Sequence, residues 1–93
     1  MEFEWDSVKE LANIKKHGIP FATAVETFFD PKGFQLQDRK HSSVEKRFYW
    51  VGKTRSERVL TSWFTRRGNI IRIIGCAEWR NFRRLYYETT KNE

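Results

Sequence analysis

The segment Phe64–Arg80, FTRRGNIIRIIGCAEWR, sets Arg66, Arg67, Arg72 and Arg80 in and around the most apolar run of the chain. Ile70, Ile71, Ile73 and Ile74 mark a buried strand, and Arg72 interrupts it. Side chains alternate across a strand, so Ile71 and Ile73 share one face while Ile70, Arg72 and Ile74 share the other. The first face is the candidate core. The second carries a guanidinium on a concave or half-exposed surface, because a fully buried unpaired arginine is too costly. Arginine's planar fork fits a carboxylate or a phosphate. Arg72 is therefore either structural, paired with a carboxylate such as Glu45 or Glu78, or a fixed cation for an anionic ligand. Trp50, Trp63, Phe64 and Trp79 lie in the same part of the chain. Cations that hold phosphates and rings that stack bases suit single-stranded nucleic acid. Taken one at a time, each of these rings fits a core better than it fits a base platform.

Other chemistries lack their residues. His17, His41 and Cys76 do not have metal-ligand spacing, and a structural zinc site takes about four ligands. The glycines, Gly18, Gly33, Gly52, Gly68 and Gly75, are too dispersed for a phosphate-binding loop. There is no GxSxG or HExxH motif and no carboxylate pair in an apolar setting. No helix-turn-helix with a polar recognition helix is evident.

The elements that must position the arginines follow from periodicity. Glu2–Trp5 alternates and reads as a short strand. Asp6 is placed to cap a helix, Ser7 and Glu10 have capping-box spacing, and Val8, Leu11, Ala12 and the Lys15 stem share one face, expected inward. Gly18 ends that helix, with Lys15, Lys16 and His17 at its carbonyl end. Pro20 starts a second helix, in which Phe21, Ala24, Val25 and Phe28 follow the helical period. After the turn Asp30–Gly33 the period becomes two. Strands are expected at Phe34–Asp38, Arg47–Lys53, Arg58–Thr65 and Asn69–Cys76, with a tight hairpin at Arg66–Gly68. A last helix, about Glu78–Glu88, turns Trp79, Phe82 and Leu85 or Tyr86 inward. The order β-α-α-β-β-β-β-α predicts an α+β domain, an antiparallel sheet packed with N-terminal helices and a C-terminal helix.

Ninety-three residues, 16% aromatic, suffice for one folded domain, 1–93, with a single core. The lone cysteine excludes an internal disulfide and fits a reducing compartment. The acidic, polar start resembles neither a signal peptide nor an anchor, so a cytoplasmic protein without membrane contact is expected. Charge is asymmetric. Residues 1–46 carry seven Lys/Arg against eight Asp/Glu, and residues 47–93 carry eleven against four, so the net +6 arises in the second half. That half is suited to a polyanion or an acidic partner.

An ordered set of short motifs resembles the BrnT family, toxins of bacterial type II toxin–antitoxin pairs. The set comprises Trp5-Asp6, Lys16-His17-Gly18, His41-Ser42, Arg47, Gly52, Arg67-Gly68, Ile71-Arg72-Ile73 and Tyr87-Glu88, within Phe3–Glu88. The resemblance implies a RelE-like fold and a ribonuclease activity that uses no metal or cofactor. It also implies a neutralising antitoxin that carries the DNA-binding element, of ribbon-helix-helix type. Many members read RIISAR where this chain has RIIGCA. Ala77 thus stands in place of a family arginine, and Arg80, three residues on, is the candidate replacement. The alternative is a non-catalytic basic binding module, for RNA or an acidic protein.

Cleavage of RNA by its own 2′-hydroxyl needs a base, an acid and fixed charge at the phosphorane. Arginine is a poor base, with a pKa above ~12, but it stabilises charge. Arg67, Arg72 and Arg80 are assigned that role. His41, with histidine's ordinary pKa of ~6.5, is the candidate base; His17 suits a helix end. Glu45 suits a structural pairing with Arg47. Arg47, Lys53, Arg83, Arg84 and Tyr87 are expected to hold the RNA. The expected partner is an acidic antitoxin segment with apolar anchors, and promoter DNA is reached only through that antitoxin.

Overall fold

A computed structural model describes residues 1–91; Asn92 and Glu93, the end of the expected domain, lie outside the described residues. The elements are β1 (Glu2–Trp5), α1 (Ser7–His17), α2 (Phe21–Thr27), β2 (Phe34–Asp38), β3 (Arg47–Lys53), β4 (Val59–Arg67), β5 (Ile70–Ala77) and α3 (Arg80–Thr90), with a 3-10 turn at Arg39–His41. The α+β class is as expected, but the sheet is mixed, not antiparallel. Its order is β1-β5-β4-β3-β2, and β1 runs parallel to β5, with Phe3 opposite Ile71 and Trp5 opposite Ile73. Topology explains the difference. Trp5 leads at once into α1, which is fastened to the end of β5 through Asn13, so β1 must run in the direction of β5.

The ends of α1 are those the sequence predicts. Asp6 Oδ1 accepts from the Val8 N–H at 2.8 Å. Gly18 takes φ +71° and its N–H reaches the Ile14 carbonyl, the left-handed ending that glycine adopts at least cost. The inward face is a correction. Val8 and Leu11 are 72% and 67% exposed and Ala12 is exposed as well, whereas Asn13 is 6% exposed. Backbone hydrogen bonding decides it. The Asn13 amide donates to the carbonyls of Ile19 and Cys76 and accepts from the Cys76 N–H, each at 3.0 Å. Glu10 accepts from the Phe21 N–H at 2.9 Å, capping α2, whose own N-cap residue Pro20 offers no side-chain bond. Turning an apolar face inward would leave these buried groups unpaired, at about 1–3 kcal/mol each.

The main core lies between the two N-terminal helices and one sheet face: Phe21, Ala24 and Phe28 against Leu60, Phe64, Ile71 and Ile73. Helix α3 covers part of the opposite face, where Phe82 and Tyr86 pack on Val51 and Val59. Trp79 is more exposed than expected but lies parallel to Trp63, ring centroids 5.0 Å apart. A bulge opposite Trp63/Phe64, which face Gly75 and Ile73, leaves Ile74 as the extra residue of β5. Alternation shifts by one there, and Cys76 returns to the core face. Trp63 crosses β5 at Gly75, where a Cβ would lie 2.1 Å from the indole. The hairpin glycine Gly68 has φ +62°, as its turn requires.

Candidate active site

The part of the second sheet face left open by α3 holds a row of three side chains set by strand register. Arg47 on β3 lies opposite Thr65 on β4, and Thr65 lies opposite Arg72 on β5. Neighbouring strands are about 4.8 Å apart, so the two arginine backbones are separated by about 10 Å with the threonine between them. Thr65 is 5% exposed, and its hydroxyl has no hydrogen-bond partner among the described residues. This unpaired hydroxyl sits on the strand between those that carry Arg47 and Arg72.

The row forms the floor of a groove of about 380 Å³, which His41, Arg67 and Lys9 also line. A smaller recess of about 140 Å³ adjoins it and shares His41 and Arg47; Asp38, Tyr49, Trp63 and Trp79 complete its walls. The 3-10 turn after β2 brings His41 back to Asp38. His41 Nδ1 lies 2.9 Å from Asp38 Oδ2, and the His41 N–H reaches Oδ1 at 3.3 Å. Ser42 ties the following loop to β3, donating to the Asp38 carbonyl and accepting from the Arg47 N–H at 2.9 Å.

Asp38 is 5% exposed. Burial alone would raise its carboxyl pKa, but hydrogen bonds from His41 and Tyr49, with the charge of His41, outweigh it and hold the group below the ordinary carboxylate value. Burial, and then the Asp38 charge and hydrogen bond, push the Tyr49 phenol up. Asp38 is thus ionised and accepts only, so the Nδ1 that faces it carries a proton, and Nε2 is the ring nitrogen not engaged by the carboxylate. The buried Cys76 thiol is pushed up to about 11, chiefly by burial, which removes it as a nucleophile.

Three arginines are paired with carboxylates, and Arg72 with neither of the two expected. Arg72 binds Glu4 across the β1–β5 pair. Arg67 Nε lies 3.2 Å from Glu45, and Arg58 lies 2.8 Å from Glu78. Glu45 therefore serves Arg67 and not Arg47. His17 is edge-on to Trp63, centroids 6.2 Å apart.

The residues expected to act together fall into two groups. His41, Arg47, Arg67 and Arg72 share the groove. Arg80, Arg83, Arg84 and Tyr87 line a separate open depression of about 590 Å³ along α3. Lys53, at the far end of β3 from Arg47, lies over the rings of Tyr86 and Tyr87, 5.8 and 5.2 Å from their centroids. Ala77 is buried opposite Thr61; Arg80 starts α3 outside the groove. Sequence reasoning missed Asp38, Tyr49, Thr65, Glu4 and Lys9. Only the Asp38–His41 spacing at a strand end carried a readable signal.

A cationic groove that holds a histidine bonded to a carboxylate, on an α+β scaffold, is suited to a polyanion. A sequence model described as "Ribonuclease toxin, BrnT, of type II toxin-antitoxin system" matches residues 5–81. The match takes in most of the chain, and the protein belongs to this family of ribonuclease toxins. The non-catalytic alternative is not favoured. The fold is similar to that of the Brucella abortus ribonuclease toxin, BrnT, seen in a 1.1 Å crystal structure. The TM-score is 0.65 at 20% identity, over 85% of this chain and 96% of that one. No curated protein gives a significant sequence match.

Proposed function

We propose that this chain cleaves RNA without a metal ion, at the groove between His41 and Arg72. The observation that carries the reading is the Asp38–His41 pair beside the Arg47–Thr65–Arg72 row. Nε2 of His41 takes the proton of a ribose 2′-hydroxyl. The 2′-oxygen then bonds to the adjacent phosphorus, the bond to the 5′-oxygen breaks, and the leaving oxygen takes a proton from water. The products are a 2′,3′-cyclic phosphate and a 5′-hydroxyl. Arg47 and Arg72 stabilise the charge on the non-bridging oxygens, and Arg67 stands at the groove's edge. The Thr65 hydroxyl reaches the same phosphate after a rotation about χ1. In the free protein Glu4 holds the Arg72 guanidinium in place.

Metal independence is supported by the side chains present. Among the described residues no three or more His, Cys, Asp or Glu are grouped to hold a metal ion. Arg80, Arg83, Arg84 and Tyr87, with Lys53 beside Tyr87, bind the strand that runs on from the groove along α3. The chain acts in the cytoplasm; no helix among the described residues is long and apolar enough to cross a membrane. An acidic ribbon-helix-helix antitoxin neutralises it and supplies the binding to promoter DNA, a reading supported by the family and by the basic second half.

The test is an RNA oligonucleotide cut by the purified protein, compared with the same oligonucleotide carrying 2′-deoxyribose at the cleaved position. Cleavage of the first only, with a cyclic phosphate end, supports the mechanism. Equal cleavage of both excludes it.

A further inference from the structure

Helix α1 is inverted with respect to its sequence pattern. Its inward side holds Glu10, Asn13 and His17, the first two spent on backbone groups of Phe21, Ile19 and Cys76. The opposite side carries Val8, Leu11, Ala12 and the Lys15 stem at positions i, i+3, i+4 and i+7, with the half-exposed Ile14 on its flank. That spacing is the seam along which one helix packs on another. The helix that carries it is eleven residues long, about 16 Å at 1.5 Å per residue. No other element of the described chain covers Val8 or Leu11.

We propose that this face is the docking site for an acidic amphipathic helix of the antitoxin, and so deepen the toxin–antitoxin reading on which the proposal rests. Charge selects this occupant over a second copy of the chain. The exposed charges on α1 are Lys9, Lys15 and Lys16, while Glu10 is turned toward Phe21. Antiparallel pairing of two α1 helices would set Lys9 of one against Lys15 and Lys16 of the other, a repulsive arrangement. A helix with apolar residues on one stripe and Asp or Glu beside it meets both features. Such a ligand is also well placed to inhibit. Lys9 lines the groove that holds His41 and Arg72, and Lys9 and Lys16 line the shallow recess beside Trp63 and Ile74. A helix seated on α1 therefore flanks the groove and brings carboxylates to its lysine edge.

The test uses the purified chain, its Leu11→Glu and Val8→Glu variants, and the antitoxin encoded beside it. Titration calorimetry reads affinity, thermal melts read folding, and an RNA assay reads activity. Both side chains are largely exposed, so melting and RNA cleavage stay as in the wild type. Affinity for the antitoxin falls at least ~10-fold, as for a hot-spot residue. Unchanged affinity in both variants overturns the proposal. So does a free wild-type dimer that Leu11→Glu makes monomeric while antitoxin affinity holds, since the face then belongs to a second copy. A wild-type chain that cuts no RNA refutes the catalytic reading alone, because the affinity comparison still decides the docking face.

Discussion

Replacing Thr65 by valine separates a functional hydroxyl from a structural one, because the two roles move stability in opposite directions. The hydroxyl is buried and has no partner among the described residues. Leaving a buried polar group unpaired costs about 1–3 kcal/mol. Valine keeps the shape and removes that cost, so Thr65→Val should be more stable by about 1 kcal/mol or more. For a domain of this size each kcal/mol shifts the melting temperature by about 4–8 °C, which scanning calorimetry resolves. The opposite holds for catalysis. A hydrogen bond from the hydroxyl to a charged phosphate contributes about 1.5–3 kcal/mol, and each 1.4 kcal/mol is about tenfold. The kcat/KM for RNA should therefore fall by about 10- to 100-fold in the variant that melts higher, and Thr65→Ser should keep most of the activity. A lower melting temperature for Thr65→Val, or unchanged cleavage, would refute the placement of Thr65 in the phosphate site.

Other outcomes follow from the same geometry. Asp38→Asn should lower kcat by about 10²-fold or more with little change in KM, since an amide cannot hold the His41 proton on Nδ1 as a carboxylate does; an unchanged kcat in a variant that melts as the wild type does would refute this role. Asp30 and Asp38 both titrate below the ordinary carboxylate value. For Asp30, burial acts upward, but bonds from Tyr86 and the Lys32 and Lys53 N–H groups, and the Lys53 charge, outweigh it. The stability they contribute is complete above about pH 4 and is lost as pH falls through their lowered values, so Asp30→Asn should flatten the acid limb of a denaturation curve; an unaltered limb counts against the shift. In a mobility-shift assay the antitoxin–toxin complex should retard promoter DNA and the toxin alone should not, and specific binding by the toxin alone would reverse that division.

Local features of the fold were readable from short stretches. Asp6 and Gly18 bracket α1 as their chemistry requires, and Gly68 turns the hairpin. The alternation of Ile71, Arg72 and Ile73 correctly separated the core from the open face. What escaped depended on distant partners. The face of α1 was misread because a helical wheel weighs apolar side chains and does not see the unpaired backbone at Cys76 and Ile19 that draws Asn13 inward. The parallel β1 escaped because strand direction is set by where α1 must dock. Arg72 chose Glu4, 68 residues away in sequence, over Glu45 and Glu78, which only the β1–β5 register brings about. Thr65 was invisible as a site residue for the same reason: its place between Arg47 and Arg72 exists only once three strands are aligned. His41 was a candidate from its chemistry alone, whereas its contact with Asp38 needed the 3-10 turn to bring the two within reach.

The most direct measurement is the fate of bulk RNA incubated with the purified protein in excess EDTA, beside Arg72→Ala and His41→Gln proteins of confirmed fold. Cleavage by the wild type that leaves 2′,3′-cyclic phosphate ends, and that both variants lose, is the predicted result. Cleavage abolished by EDTA and restored by a divalent cation, or retained by a folded His41→Gln variant, would contradict it.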